Sequence, residues 1–312
     1  MGALTAYNVN PDTVTVAGIS AGAFMAVQLQ VAYSASVHGA AIVAGGPYDC
    51  EQGNLLAQGV ACSTGFGLPA VSTFVDYTNT EASAGAIDPV SNIAGKPIYL
   101  FSGKSDSVIN QAVMNELVLY WGAFTTVQEL TYNSTTQAEH AWISPDATHS
   151  CGTLASPYLN NCSFDMEQDF LTLFYGTLAP RTSSPGGTYL QFDQNTFCPS
   201  SNCSNIVMDT TGWLYVPTAC SQGEACKLLV MLHGCEQNQA TVGTVLVHES
   251  GLNEWADSNN ILVLYPQSSS SSADPDACWD FTGYTGANYA LKSAPQMTAI
   301  MSMVQLITSG AQ

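Results

Sequence analysis

The 312-residue sequence predicts an α/β fold, a sheet with helices on both faces, and three observations carry that prediction. Strand-like and helix-like stretches alternate along the chain. Hydrophobic residues make up 46% of it, enough for a large core. Thr13 to Ser34, TVTVAGISAGAFMAVQLQVAYS, runs from a β-branched strand through Gly18-Ile19-Ser20-Ala21-Gly22 into an apolar helix. A serine in such a turn takes up a strained backbone, and only small neighbours let strand and helix approach so closely. Gly18, Ala21, Gly22 and Ala23 supply them, setting the Ser20 hydroxyl clear of its own chain at a helix N-terminus. Ser20 is therefore the candidate nucleophile. The alternative is a glycine-rich turn whose serine only caps the helix.

The other elements follow in order. Gly39 to Ala44 reads as a buried strand ending in Gly45-Gly46-Pro47, and Lys96 to Ser102 as another. A loop, Gly103 to Ser107, and a helix near Val108 to Phe124 come next. Val127 to Tyr132 is a further strand, opening into a polar loop of about 20 residues. Phe164 to Tyr175 reads as helix. Gly176 to Gly187, rich in Gly, Pro, Ser and Thr, reads as a surface linker. Beyond it lie strands at Gly212 to Pro217 and Lys227 to Leu232, a helix over Val245 to Asn259 and a strand at Ile261 to Tyr265. Ser268 to Ser272 reads as a flexible loop and Pro295 to Ser309 as a closing helix. The second half has no serine elbow or complete site of its own. One domain over residues 1–312 is expected, with no separate substrate-binding domain.

Only 9% of residues are charged, 24 acidic against 5 basic, for a net charge of −19. That field repels nucleic acid and anionic membrane surfaces, so neither is an expected partner. No apolar run approaches the ~18 residues of a membrane span. The ten cysteines include no C-x-x-C pair, and no His completes a zinc spacing, so disulfides are expected and a metal is not. Neighbour pairing gives Cys50–Cys62, Cys151–Cys162, Cys198–Cys203 and Cys220–Cys226, with Cys235–Cys278 left as a longer-range pair. Sequons at Asn133, Asn161 and Asn202 fit the same oxidising, secretory route. Met1-Gly2-Ala3 opens neither a basic nor an apolar leader, so the chain is expected to begin near a mature N-terminus. A secreted monomer is the expectation.

A serine nucleophile needs a base, a carboxylate to orient that base, and two N–H donors for the oxyanion. In this fold class the order along the chain is Ser, acid, His, on loops at the C-terminal ends of strands. Asp106 lies just past the strand Lys96 to Ser102; its other reading is an Asx-turn. Asp88 and Asp146 follow no comparable strand. Of five histidines, His38 precedes Asp106, His248 falls in a helix of the second half, and His233 belongs to another motif. His140 and His149 share the loop after Val127 to Tyr132. His140 is nearer the strand end and is followed by Trp142 and Pro145, so it is favoured as base.

Leu228 to Cys235, LLVMLHGC, is a buried strand ending in His-Gly. Such a turn presents a backbone N–H to the oxyanion, which makes Cys235 and Ala21 the candidate donors. Its place is unusual, far after His140 where the usual order puts it before the serine. The elbow strand also starts within a few residues of Met1, with none of the upstream strands the sheet requires. Circular permutation explains both, with the second half supplying the missing strands and residues 176–187 at the joint.

Together the early elbow, the Ser-Asp-His order, His233-Gly234-Cys235, Tyr265-Pro266 and Cys278-Trp279-Asp280 resemble the circularly permuted, single-domain extracellular poly(3-hydroxybutyrate) depolymerases of fungi. The similarity extends over nearly the whole chain, including Tyr7-Asn8-Val9-Asn10, Gly45-Gly46-Pro47-Tyr48-Asp49-Cys50 and Trp255-Ala256-Asp257. The resemblance implies an α/β-hydrolase fold and a serine esterase without cofactors. Its implied site is a Ser20, Asp106, His140 triad with Ala21 and Cys235 N–H groups as oxyanion hole and Trp279 beside the cleft. If Trp279 is a rim residue, Phe281 and Tyr284 can extend the same aromatic surface toward a polyester; the other reading of Trp279 is a core residue. Glu236, acidic just after Cys235, departs from the family pattern, as does the small number of tryptophans after Cys278. A feruloyl- or acetylxylan-type esterase is the alternative activity, and a non-catalytic secreted binding module the alternative class.

Overall fold

The computed structural model describes residues 1–126 and 128–311, without the side chains of 55–58. Val127, the first residue of the strand expected over 127–132, lies outside the described residues. Strands β1 (Val9–Ile19), β2 (Ala40–Val43), β3 (Ile98–Phe101) and β4 (Leu130–Asn133) come from the first half of the chain. Strands β5 (Trp142–Ile143), β6 (His149–Ser150) and β7 (Leu159–Asn161) form a small parallel sheet in the loop after β4. The second half supplies β8 (Thr188–Asp193), β9 (Thr211–Val216), β10 (Cys226–Leu232) and β11 (Ile261–Tyr265).

The main sheet has eight strands in the order β8-β9-β11-β10-β1-β2-β3-β4. From β11 to β4 every pairing is parallel, while β9 runs antiparallel to both its neighbours. Counted from β8 instead of from the N-terminus, the spatial order is 1-2-4-3-5-6-7-8. That is an α/β-hydrolase sheet whose first four strands come last in the chain. The elbow strand β1 joins the halves by pairing with β10 on one side and β2 on the other.

Alternating side chains divide the core between the two faces of the sheet, as a period of two requires. Val14, Val16, Ile42, Leu100, Leu228, Val230 and Leu264 pack under α1 (Ala21–Ala32), with the helices Val71–Ser83 and Gln111–Gly122 beyond. Ala17, Ile19, Val43, Phe101, Leu229, Met231 and Val263 face Met166, Phe170, Leu252 and Trp255 on the opposite side. Every residue of α1 is buried, which explains its nearly uniform apolar and small composition. Its Gln28 is buried too, and donates through Nε2 to the carbonyls of Asp280 and Tyr289, fastening the loop after Cys278.

Several elements differ from the expected ones. The helix expected over Val245 to Asn259 is two helices, Val245–Glu249 and Leu252–Asn259, broken at Gly251, whose φ is +81°. Helices at Leu55–Thr64 and Val71–Ser83 and strand β8 add to the expected set. Ser268 is buried, whereas the run from 268 reads from sequence as a flexible loop. The five disulfides are Cys50–Cys62, Cys151–Cys162, Cys198–Cys203, Cys220–Cys226 and Cys235–Cys278, matching neighbour pairing. No helix among the described residues is long and apolar enough to cross a membrane.

Candidate active site

Ser20 sits between β1 and α1 at φ 56°, ψ −123°, a backbone conformation that costs a non-glycine residue about 1–3 kcal/mol. Hydrogen bonds on both sides hold it there: its N–H donates to Val43 O (3.0 Å), and its carbonyl accepts from Ala23 and Phe24. Glycines close the turn. A Cβ on Gly18 would strike the Gly22 carbonyl, and one on Gly22 would strike the carbonyls of Leu232 and His233. The N-terminus of α1 thus abuts the end of β10. This brings Ser20 beside Gly234, where an added Cβ would lie 3.2 Å from the serine Cβ.

Asp106 and His140 arrive on the loops after β3 and β4. His140 Nδ1–H donates to Asp106 Oδ2 at 2.9 Å, a pairing that leaves Nε2 as the acceptor nitrogen. The second carboxylate oxygen of Asp106 accepts the N–H groups of Val108 (2.9 Å) and Ile109 (2.8 Å). Both side chains are nearly inaccessible to solvent. The two loops are laced together by Lys104 N–H to Thr136 O, Ser105 N–H to Ala138 O, and Glu139. Its Oε2 accepts from Ser107 N–H (3.1 Å) and His140 N–H (2.6 Å). Burial would raise the Glu139 carboxyl, but these donors and the nearby imidazole hold it below the usual glutamate range.

Ser20 and His140 line one cleft of about 230 Å³ together with Ile19, Val108, Leu154, Tyr158 and the Gly234–Gln237 turn. The N–H groups of Ala21, at the first turn of α1, and of Cys235 have no hydrogen-bond partner among the described residues. The Gly234–Cys235 peptide is held from behind. His233, fully buried, donates Nδ1–H to Gly234 O (2.7 Å), and its Nε2 accepts Ser268 N–H (3.1 Å). In a trans peptide the C=O and N–H point opposite ways, so anchoring Gly234 O inward aims Cys235 N–H outward. Gln237 completes the turn, with Oε1 accepting Gly234 N–H (2.7 Å) and Nε2 donating to Pro157 O (2.9 Å). Burial pushes His233 down to about 4, only partly offset by its bond to the Gly234 carbonyl, so it is neutral at pH 7.

The aromatic rim expected at Trp279, Phe281 and Tyr284 is not where the resemblance implies. Trp279 is 0% exposed and packs its ring 5.2 Å from that of His233. Phe281 stacks on Phe24 at 4.5 Å, and the Tyr284 hydroxyl donates to Cys278 O while accepting from Gln296. None of the three lines the cleft. The reason lies in Asp280, whose carboxylate accepts the N–H groups of Thr282, Gly283, Tyr284 and Thr285. It curls the loop back onto α1 and away from Ser20. Of the sequon asparagines, Asn202 is exposed, Asn133 is half-buried, and Asn161 spends its Nδ2 on Pro145 O (2.7 Å). Among the described residues, no group of three or more His, Cys, Asp or Glu is placed to hold a metal ion.

A poly(3-hydroxybutyrate) depolymerase of Delftia acidovorans is 45% identical to this chain over 313 residues, covering 98% of it. The chain spans 62% of that relative's own length. A polyhydroxybutyrate depolymerase of Talaromyces funiculosus is 36% identical over 328 residues, covering 99% of this chain and 94% of its own. The chain belongs to the PHB depolymerase family. Two solved structures of PHB depolymerases match over 100% of both chains with a TM-score of 0.92. One is from Penicillium funiculosum, 36% identical; the other, 35% identical, is a serine-to-alanine variant complexed with R3HB trimer. No family model matches the chain.

In this PHB depolymerase family member, Glu139, Gln237, Leu154 and Tyr158 join the site in addition to the residues expected from sequence. Glu139 adjoins His140 and Gln237 follows Gly234 by three, the spacing of a side chain closing a turn on its own backbone. That signal is present in the sequence. Leu154 and Tyr158 reach the cleft only because the Cys151–Cys162 bond and the small sheet fold their loop over it, which no local pattern announces.

Proposed function

We propose that the chain is a carboxylic-ester hydrolase that cleaves poly(3-hydroxybutyrate), or a closely related aliphatic polyester, to short hydroxyalkanoate oligomers. The observation that carries the reading is the strained Ser20 sharing a cleft with a His140 already oriented by Asp106. His140 Nε2 takes the Ser20 proton as Oγ attacks the ester carbon. The oxyanion gathers on the N–H groups of Ala21 and Cys235, and His140 then protonates the departing alkoxide. Water, deprotonated by His140, attacks the acyl carbon, releases the acid and returns Ser20 to its resting form. Asp106 fixes the imidazole tautomer and balances its charge. The chain's own groups supply each step, and no metal or organic cofactor is called on.

Polyester as substrate is supported by the family and by the surface around the cleft. Val108 and Leu154, 39% and 47% exposed, stand at its mouth. Phe66, 85% exposed, lies just past the helix Leu55–Thr64, whose Ser63 O accepts Asn110 N–H (2.7 Å), two residues on from Val108. A polyester strand is apolar, with carbonyls at regular intervals and no charge along its length, so apolar side chains suit it better than ions. On this reading the polymer contact falls to Val108, Leu154 and Phe66 in place of Trp279. Secretion and a monomeric state complete the proposal, in keeping with five disulfides.

The test is labelling. An organophosphate should abolish hydrolysis of a short p-nitrophenyl ester, with the adduct mapping to Ser20, and a chelator should have no effect. An adduct on another residue, or inhibition by the chelator, contradicts the mechanism. Double substitution of Phe66 and Leu154 to Ser should lower film hydrolysis several-fold more than soluble-ester hydrolysis. Equal losses on both substrates would rule out the polymer-contact role.

A further inference from the structure

The cleft carries one acidic side chain that ester chemistry does not use. Glu236 follows Cys235, is exposed, and lines the same cleft as Ser20 and His140. Its φ is +58°, a conformation a glutamate adopts only at a cost and a glycine would take freely. Both ends of the residue are tied down. Its N–H donates to Asp276 O (2.7 Å), and its Oε2 accepts the Tyr158 hydroxyl (2.8 Å) across the cleft. Tyr158 is itself at φ +58° and held through its carbonyl by Gln237 Nε2 (3.2 Å).

The basic residues are all committed or placed elsewhere. Lys96 donates to the carbonyls of Ser34 and Val37, and Arg181 pairs with Asp146 and Asp165. Lys227 donates to Asn259 O and Lys292 to Asp88, while Lys104 is exposed and outside the cleft lining. The Glu236 carboxylate thus projects negative charge into a cleft that otherwise offers neutral groups and the His140 imidazole.

We infer that Glu236 sets this cleft against carboxylates, so that neutral internal esters are admitted while the acid product, and chain ends bearing a free acid, are turned away. The inference rests on the ester-hydrolase reading above. In deacylation the bond from Ser20 Oγ to the acyl carbon breaks, the water oxygen bonds to that carbon, and His140 carries a water proton to Oγ. The acid then ionises, and the new carboxylate lies against the N–H of Cys235, one residue from Glu236. Like charges within one cleft repel, and the repulsion acts on the product and not on the uncharged ester that preceded it. A chain cut repeatedly on an insoluble surface accumulates this acid locally, so a cleft that sheds it stays open to the next ester.

The test compares the full-length chain with Glu236→Gln. Two quantities are measured: the ratio of kcat/KM on a 3-hydroxybutyrate trimer as free acid to that on its methyl ester, and Ki of the 3-hydroxybutyrate anion against a neutral p-nitrophenyl ester. Ionic strengths of about 10 mM and about 1 M give Debye lengths of about 30 and 3 Å. At low salt the substitution should raise the acid-to-ester ratio and tighten anion inhibition by roughly 3- to 10-fold. High salt should close the gap between the two proteins. The net charge of −19 makes anion binding salt-sensitive in both, so the difference between them is the readout. Glu236→Gly, which takes the φ of +58° freely, is the second variant if Glu236→Gln melts early. A ratio and Ki indifferent to the substitution, whether or not salt changes them, overturn the inference and leave the esterase reading intact. An unsubstituted protein inactive on the neutral ester removes both.

Discussion

Asp106 and His140 meet at 2.9 Å because each loop is independently fixed, one by two N–H donors on Oδ1 and the other by Glu139. Asp106→Asn keeps the shape but not the acceptor that selects the tautomer, so kcat should fall by roughly 10³–10⁴ with little change in Tm. Loss of folding in step with activity would assign Asp106 a structural role instead. His233 belongs to the same scale and acts at one remove, through the Gly234 carbonyl. His233→Ala leaves Ser268 N–H buried without a partner, at about 1–3 kcal/mol, and leaves the Gly234 carbonyl with only its longer bond from Gln237 N–H (3.3 Å). It should lower Tm and, if the Cys235 N–H is the oxyanion donor proposed above, lower kcat more than it raises KM. A variant that loses only stability would separate His233 from the oxyanion hole.

At the scale of elements, the site depends on α1 reaching the end of β10. Gly22→Ala would drive a methyl into the carbonyls of Leu232 and His233, parting the two N–H groups proposed as oxyanion donors. Activity should drop well beyond what the melting temperature explains. The Cys235–Cys278 bond ties the same turn to the loop that covers α1 and closes 43 residues, against 6 for Cys220–Cys226. Loop-closure entropy sets these at about 4 and roughly 2 kcal/mol. Replacing each pair by alanines and comparing Tm and kcat/KM checks the ranking, and equal effects would contradict it.

The elements that build the site were the readable ones. The elbow demands small residues at set offsets from Ser20, and strands buried on both faces leave unbroken apolar runs such as Leu228–Leu232. Val71–Ser83 was not readable as helix, since its Thr, Ser and Val residues are weak helix formers and only Phe74 and Thr78 are buried. The break at Gly251 comes from outside the helix, where a side chain would collide with Ser144. Trp279 misled for a related reason. Adjacency to Cys278 places it near the turn but says nothing of which way Asp280 curls the loop.

For the molecule as a whole, burial and charge both favour acid conditions. Burial pushes Asp49 and Asp274 up to about 6 and Glu51 up to about 7, so the folded state holds protons that the unfolded chain releases near pH 4. The stability from these three is complete below about pH 4 and is lost as pH rises through 6 to 7. His233, held near 4, opposes them: from about pH 6.5 down to 4 the unfolded chain gains a proton that the folded state refuses. Three sites outweigh one, and protonation also relieves a net charge of −19. Tm should therefore be higher at about pH 5 than at about pH 8, and a maximum above pH 7 would contradict this balance.

The central claim is that polyester is cut at Ser20, and soluble product release from a poly(3-hydroxybutyrate) film by the unsubstituted chain and by Ser20→Ala tests it most directly. The unsubstituted chain should release short hydroxybutyrate oligomers, and the variant should melt normally yet release them at least ~10³-fold more slowly. Comparable release by the variant, or a film left intact by an unsubstituted chain that still hydrolyses soluble esters, would contradict the account.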